Sequence, residues 1–438
     1  MVLSRKRAIA GVALAAISAI ALSACGSSGP GQSAGGGASG DGASAWALTG
    51  GVHEVMWKES FENWNKDNPD QEIAVEWFAN DPYKEKIRTA MGAGTGPSLV
   101  FGWGGGTLKE YVDTGKVVSL EGEVDELLDR LIPSIVDGGR VDGELYAVPQ
   151  SQTQPELIYY NKDLFDQIGA EPPTTWEETM ALVPQFKEAG IAPFSLAGAS
   201  KWPELLWLQY LTDRIGGAEP FAKVAAGEAD AWSDPAFAEA LTKIQDLVKA
   251  GGFAEGFGTV VADANADAAL VHTGQAAMLL QGSWVFSSFA QDAPEFVEGG
   301  KLGFIPFPTV EGGTGDPANV VGNPSNYWYL NASASDEAKE AAITYLNERV
   351  FNDEYTKTLI DGGGVPPVKG IESQLDDAPN GDFLRFAYDL VNNAPNFTLS
   401  WDQALPSAAA QELLTNMDQI FLLQITPEEF VANMNATL

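Results

Sequence analysis

From Val52 onward, short apolar runs alternate with stretches in which apolar residues recur every three or four positions. These are the periods of strand and helix respectively. Residues 52–57 read as a strand, 59–65 as a helix, 72–78 as a strand and 82–91 as a helix, which is the order of a βαβ unit. Residues 98–103 read as a buried strand that runs into Gly102-Trp103-Gly104-Gly105-Gly106, where missing side chains let the backbone turn sharply. Ligands of open α/β sheets bind at such carboxyl ends. Thr175-Trp176-Glu177-Glu178, after Pro172-Pro173, has the form of a capping box opening a helix. Asp234-Pro235 opens another that runs to about Ala250, and 337–349 and 406–422 are amphipathic helices. No fixed-period repeat appears, so solenoids and propellers are disfavoured. Helices and strands intermix from end to end with no Pro/Gly/Ser linker between halves, so two lobes interwoven by several chain crossings are expected.

The first 44 residues break this pattern. Arg5, Lys6 and Arg7 precede an apolar run, 8–22, that is too short for a permanent membrane span. The run ends in Leu22-Ser23-Ala24-Cys25, which resembles the bacterial lipobox, where cleavage before the Cys exposes a thiol for acylation. Residues 1–24 therefore read as a lipoprotein signal peptide and Cys25 as the lipidation site. Residues 25–44 are dominated by Gly, Ser and Ala and read as a flexible tether. Its typical reach of about 24 Å would hold a folded body just off the membrane. The expected location is extracytoplasmic, anchored to a bacterial cell membrane, away from ATP and reduced nicotinamide pools.

Of the 438 residues, 45% are hydrophobic, which suits a folded protein and, at this length, more than one lobe. With 25 Lys+Arg against 60 Asp+Glu the net charge is −35, and loss of three basic and no acidic residues with the leader deepens it. Such a field repels phosphate backbones, so nucleic acid is not an expected partner, nor is a polyanionic small ligand. One Cys and two His, His53 and His272, leave no disulfide framework and no zinc cluster. No cofactor is implied.

Several blocks now line up in order: 92–100, the Trp103 loop, 143–149, 158–165, 172–178, Gly274-Gln275-Ala276-Ala277-Met278 with Gly282-Ser283-Trp284, and Gly303-Phe304-Ile305-Pro306-Phe307-Pro308. From residue 48 to the end the chain resembles the sugar-binding group of extracellular solute-binding proteins of bacterial ABC importers, similar to maltose-binding protein. Ser98 stands where that family usually has Asp after Pro, and is read as structural. The resemblance implies an α/β, two-lobed periplasmic-binding-protein-like fold of type II with a multi-segment hinge, closing on its ligand. By this analogy the crossings fall near 150–154, 307–309 and 350–353. Lobe 1 is then 45–152 plus 310–350, and lobe 2 is 153–309 plus 351–438.

The implied function is capture of a neutral mono- or oligosaccharide and its delivery to ABC permease subunits, by a monomer that performs no covalent chemistry. Sugars offer C–H faces and hydroxyl rims, so aromatic platforms ringed by hydrogen-bonding side chains are expected. Trp103, Trp284 and Trp401 match the family's stacking positions, and Trp57 and Trp202 are further candidates. The polar rim is expected from Glu59, Asp81, Gln152, Thr153, Gln281, Asn323, Ser325, Asn326 and Asp402. Trp64, Trp77, Trp176, Trp207 and Trp328 fall inside helices or strands and read as packing, as do His53 in a strand and His272 in a helix. The alternative is a secreted carbohydrate-active hydrolase, for which any acidic chain offers carboxylate pairs. A third reading, a surface or adhesion protein without a ligand, predicts no ligand-induced stabilisation. Neither a Gly-x-Ser-x-Gly turn nor a Walker lysine occurs, and 92–96 lacks dinucleotide spacing.

Overall fold

The computed structural model describes residues 42–438. The leader, Cys25 and the tether up to residue 41 lie outside the described residues. The strands in chain order are β1 (Ala43–Leu48), β2 (Ile73–Phe78), β3 (Leu99–Gly102), β4 (Arg140–Val141), β5 (Glu144–Leu145) and β6 (Ala147–Pro149). After them come β7 (Gln154–Asn161), β8 (Ala192–Ser195), β9 (Ala276–Gly282), β10 (Leu302–Ile305), β11 (Val320–Asn323), β12 (Tyr327–Leu330) and β13 (Phe397–Leu399). Two sheets carry the fold. One has the order β2-β1-β3-β12-β6; the other runs β13-β11-β7-β9-β8, with β10 also paired to β7.

In the first sheet β1, β2 and β3 are parallel, while β12 enters antiparallel between β3 and β6. One core surrounds it, with Trp57, Trp64, Phe101, Trp328 and Tyr345 among its buried residues. In the second sheet successive residues of β7 feed opposite faces. Ile158 joins the core containing Phe194, Trp207 and Trp401, while Leu157 and Tyr159 join the core containing Phe289 and Phe383. That is the period-2 alternation of a strand buried on both sides. Of the tryptophans read as packing, Trp64, Trp176, Trp207 and Trp328 are buried and Trp77 packs partly buried against the first core.

Several expected elements appear within a residue or two of their expected ends: β2, β3, and the helices α2 (Asn80–Ala93), Pro235–Ala250, Asp336–Glu348 and Ser407–Phe421. The capping box forms too. Thr175 Oγ1 accepts from the Glu178 N–H at 3.1 Å, and the Glu178 carboxylate accepts from the Thr175 N–H at 3.2 Å. Residues 52–57, expected as a strand, are instead the first turns of helix α1 (Gly51–Asp67). Its buried residues Val52, Met56, Trp57, Ser60, Phe61 and Trp64 recur at helical spacing. The strand preceding it is β1, so Ala43 and Ser44, expected in the tether, already belong to the first sheet.

The pairings also draw the lobes differently from the expected boundaries. Strand β11 pairs with β7 and β13, so 320–323 belongs to the second sheet, together with Phe307 and Val310 of its core. Val350, Phe351, Tyr355 and Leu359 pack in the first core, and the helix Asp353–Asp361 lies against α1. The chain thus passes between sheets at 149–154 and 323–327, and between cores at 359–360. These crossings are stitched together: the Thr153 N–H donates to the Val365 carbonyl at 2.9 Å, and Ser325 Oγ donates to the Ser151 carbonyl at 2.8 Å. Among the described residues no helix is long and apolar enough to cross a membrane.

Candidate functional site

The two sheets face each other across a cleft with about 200 Å³ of space open to water-sized atoms. The first lobe contributes the loop 48–51, His53 and Trp57 of α1, Asn80 and Lys84 of α2, and Trp103 after β3. The second contributes Glu156, Trp202, Asp263, Asp267, Gln281, Trp284, Ser400 and Asp402, and the crossings supply Gln154, Asn323 and Asn326. The Gly-rich loop after β3 is held by close approach: a Cβ on Gly106 would lie 2.3 Å from the Leu405 carbonyl oxygen. Only glycine lets this loop abut the opposite lobe.

Four of the lining tryptophans come from both walls. Trp202 and Trp284 sit tilted at 49° with ring centroids 5.9 Å apart on one side. Across from them are Trp103, over whose ring the Lys84 ammonium sits 5.3 Å from the centroid, and Trp57, stacked on His53 at 5.4 Å. Trp284 is half-buried. Its ring lies over Gly282, whose lack of a side chain makes the room: a Cβ there would meet the ring at 1.8 Å.

The polar lining is rich in groups without partners. His53 Nε2, Trp202 Nε1, Asn323 Oδ1 and Asn326 Oδ1 are buried and unpaired among the described residues. Each such group costs desolvation free energy until something bonds to it. Glu156, fully buried at the start of β7, accepts from Ser400 Oγ at 3.0 Å and from Gln209 Nε2 at 3.4 Å. Burial, reinforced by the charge of Asp402, pushes its carboxyl up to about 8. Burial also raises Asp267, despite its bond from Gln281 Nε2 at 3.0 Å, and lowers His53 to about 4. At neutral pH His53 is therefore an uncharged ring. Lys84 lies 3.5 Å from Asp402, an ion pair that joins the lobes.

Of the expected site residues, Trp57, Trp103, Trp202, Gln281, Trp284, Asn323, Asn326 and Asp402 come together at this cleft. The other six lie elsewhere. Glu59 is exposed and accepts from Thr358 Oγ1 at 3.0 Å, because two residues along a helix turn it about 200° away from Trp57. Gln152, Thr153 and Ser325 are buried within the crossings. Trp401 is 2% exposed and stacks on Phe221 at 4.2 Å in the second core, leaving its neighbours Ser400 and Asp402 to face the cleft. Asp81 bridges the lobes at the cleft's rim, accepting from Ser200 Oγ at 2.7 Å. The sequence reading missed His53, Lys84, Glu156, Asp263 and Asp267. A signal existed for Glu156, a lone acid in the otherwise apolar segment Pro155-Glu156-Leu157-Ile158-Tyr159.

Comparison with known proteins bears on this architecture. Two uncharacterised ABC transporter extracellular-binding proteins of Pyrococcus horikoshii are each 26% identical, one over 218 residues and one over 344. The first match covers 47% of this chain and 46% of the relative, so the chain spans about half that protein's length; the second covers 75% of each. A solved chain from work on xylan utilization by the thermophilic bacterium Caldanaerobius polysaccharolyticus is 31% identical, with a TM-score of 0.82 over 90% of this chain and 99% of the other. Its resemblance extends to the whole two-lobed body. A family model of bacterial extracellular solute-binding proteins matches residues 48–348, which takes in both sheets apart from β13 and all but the last residue of β1, and the chain belongs to that family.

Proposed function

We propose that the protein captures a neutral carbohydrate, an oligosaccharide by preference, outside the cytoplasm and passes it to the permease of an ABC importer. The cleft carries this reading. Two walls of tryptophan faces enclose buried donors and acceptors that lack partners, which is the complement of a sugar's apolar faces and hydroxyl rim. The similar chain from work on xylan utilization supports the same ligand class. Anchoring is through acylation of Cys25, and the protein acts as a monomer that binds without turnover. Trp103, Trp202 and Trp284 supply the platforms, with Trp57, 1% exposed in the first core, behind them, Gln281, Asn323, Asn326 and Asp402 on the polar rim, and His53 and Glu156 beside them. The lobes hinge at the three crossings and close on the ligand.

A thermal-shift screen over neutral mono- and oligosaccharides tests this. Ligand at 100 times its dissociation constant adds about 2.7 kcal/mol of stability. The sugar should be recovered intact afterwards. Absence of stabilisation across the panel, or consumption of the sugar, would refute the reading.

A further inference from the structure

The two lobes also touch each other directly. Asp81 of α2, in the first lobe, receives and gives at once. Its carboxylate accepts from Ser200 Oγ at 2.7 Å, and its own N–H donates to the Asp263 carboxylate at 2.8 Å. Both partners belong to the second lobe, and they are tied to each other there: the Ala262 N–H donates to Ser200 Oγ at 3.1 Å. Asn80 Nδ2 donates to the other oxygen of Asp81 at 3.1 Å.

Two features mark this contact. The first four N–H groups of a helix have no acceptor within it, and the residue preceding α2 is Ala79, whose side chain cannot cap. Asp263 therefore supplies from the opposite lobe the acceptor that α2 lacks in its own. The arrangement also brings two carboxylates together, and burial with the charge of Asp81 raises the Asp263 carboxyl, while its bond from the Asp81 N–H and the charge of Lys84 lower it. Were the lobes to part, these bonds would be lost and each acid would return to water.

We propose that Asp81, Ser200 and Asp263 form an interlobe latch, present only in the closed state, that sets how long a bound ligand stays. This rests on the closing-cleft reading above. The residues act on affinity through the closed state, as positioning groups, and their signature is kinetic. Loss of the latch leaves the open protein that meets the ligand unchanged and speeds escape from the closed one.

Two arms test it. The first needs no sugar. Asp81→Cys and Ser200→Cys are combined with Cys25→Ser in the full chain and oxidised, and the radius of gyration is compared with that of the reduced protein. A cross-link that compacts the molecule supports the latch; no cross-link overturns it whatever the ligand. The second arm uses xylotriose as probe in stopped-flow release and association measurements. Ser200→Ala and Asp81→Ala, neither of which lines the cleft, should release it about three- to tenfold faster, the factor of one lost hydrogen bond. Association should stay within about twofold and the melting temperature of the free protein should not change. Asp81→Asn keeps an acceptor for Ser200 Oγ and should restore most of the slow release. Unchanged release rates, or equal losses in release and in free-protein stability, would overturn the latch. Failure of the wild type to bind any sugar, with the cross-link formed, would count against the carbohydrate reading and leave the latch standing.

Discussion

The position of the Trp284 ring can be tested without removing it. In Gly282→Ala the new Cβ would lie 1.8, 2.1 and 2.2 Å from three atoms of the ring, whereas ordinary contact begins at 3.4 Å. The ring must therefore move by about 1.6 Å. It can do so cheaply, since it is half-buried and opens on the cleft, and the Gly282 backbone is not in the left-handed region. A radial gap of 0.5–1 Å already forfeits about a quarter to a half of a dispersion contact, and an aromatic face contributes about 0.5–1.5 kcal/mol beyond its area. Displacement should thus cost about 1–2 kcal/mol of binding, roughly five- to thirtyfold in Kd. Trp284→Ala removes the face altogether and should cost about 1–3 kcal/mol, roughly five- to a hundred-and-fiftyfold. Calorimetric titration with the sugar found in the screen, alongside melting of both variants, reads the outcome. Unchanged affinity in both, with a large fall in melting temperature for Trp284→Ala, would show that the ring only packs.

Ligand should draw the lobes together, so small-angle scattering should give a smaller radius of gyration with saturating sugar; an unchanged profile would argue for a rigid pocket. Cys25→Ser should release the protein to the medium, and the membrane form of the wild type should be heavier than the unmodified mature chain; an unmodified Cys25 in membrane fractions would refute anchoring there. Glu204 is fully buried with neither oxygen paired among the described residues, and burial, aided by Asp418, raises it from 4.5 to about 9. The native state then holds a proton that the unfolded chain has released, so this group's contribution is present below pH 4.5 and is lost as pH rises toward 9, at about 1.4 kcal/mol per pH unit. The same sign holds for Glu156 up to about pH 8. The melting temperature of Glu204→Gln relative to wild type should therefore climb from pH 6.5 to 9, and a flat difference would refute the burial argument.

Much of this molecule was legible because local chemistry and tertiary structure agree. Thr175 and Glu178 cap the same helix in sequence and in space, and the apolar runs at 73–78 and 99–102 are strands as their composition suggests. The first misreading shows where agreement fails. Val52 and Val55 give 52–57 a strand-like look, yet burial of Met56, Phe61 and Trp64 along one helical face decides the matter, and that face is visible only over a longer window. Strand β1, Ala-Ser-Ala-Trp-Ala-Leu, is poor in β-branched residues and borders a Gly/Ser tract; its partners β2 and β3 make it a strand. The cleft was half legible for a related reason. Tryptophans at loop–helix junctions can be named from sequence, but whether a ring faces the gap or a core is settled by neighbours far along the chain, as Phe221 settles Trp401.

The place of β12 has a consequence for how the chain reaches its structure. Tyr329 donates its hydroxyl to the Trp103 carbonyl, joining residues 226 positions apart, and β12 fills the gap between β3 and β6 in a sheet whose other strands were made long before. Pairings of such separation come late, because the intervening loop must be closed before any contact rewards it. During synthesis the first lobe keeps β3 and β6 as open edges until residue 330 has emerged, and by then the chain has delivered most of the second lobe as well. An amino-terminal half that cannot shut on its own stays threadable, which is the condition an export channel imposes on a protein destined for the far side of a membrane.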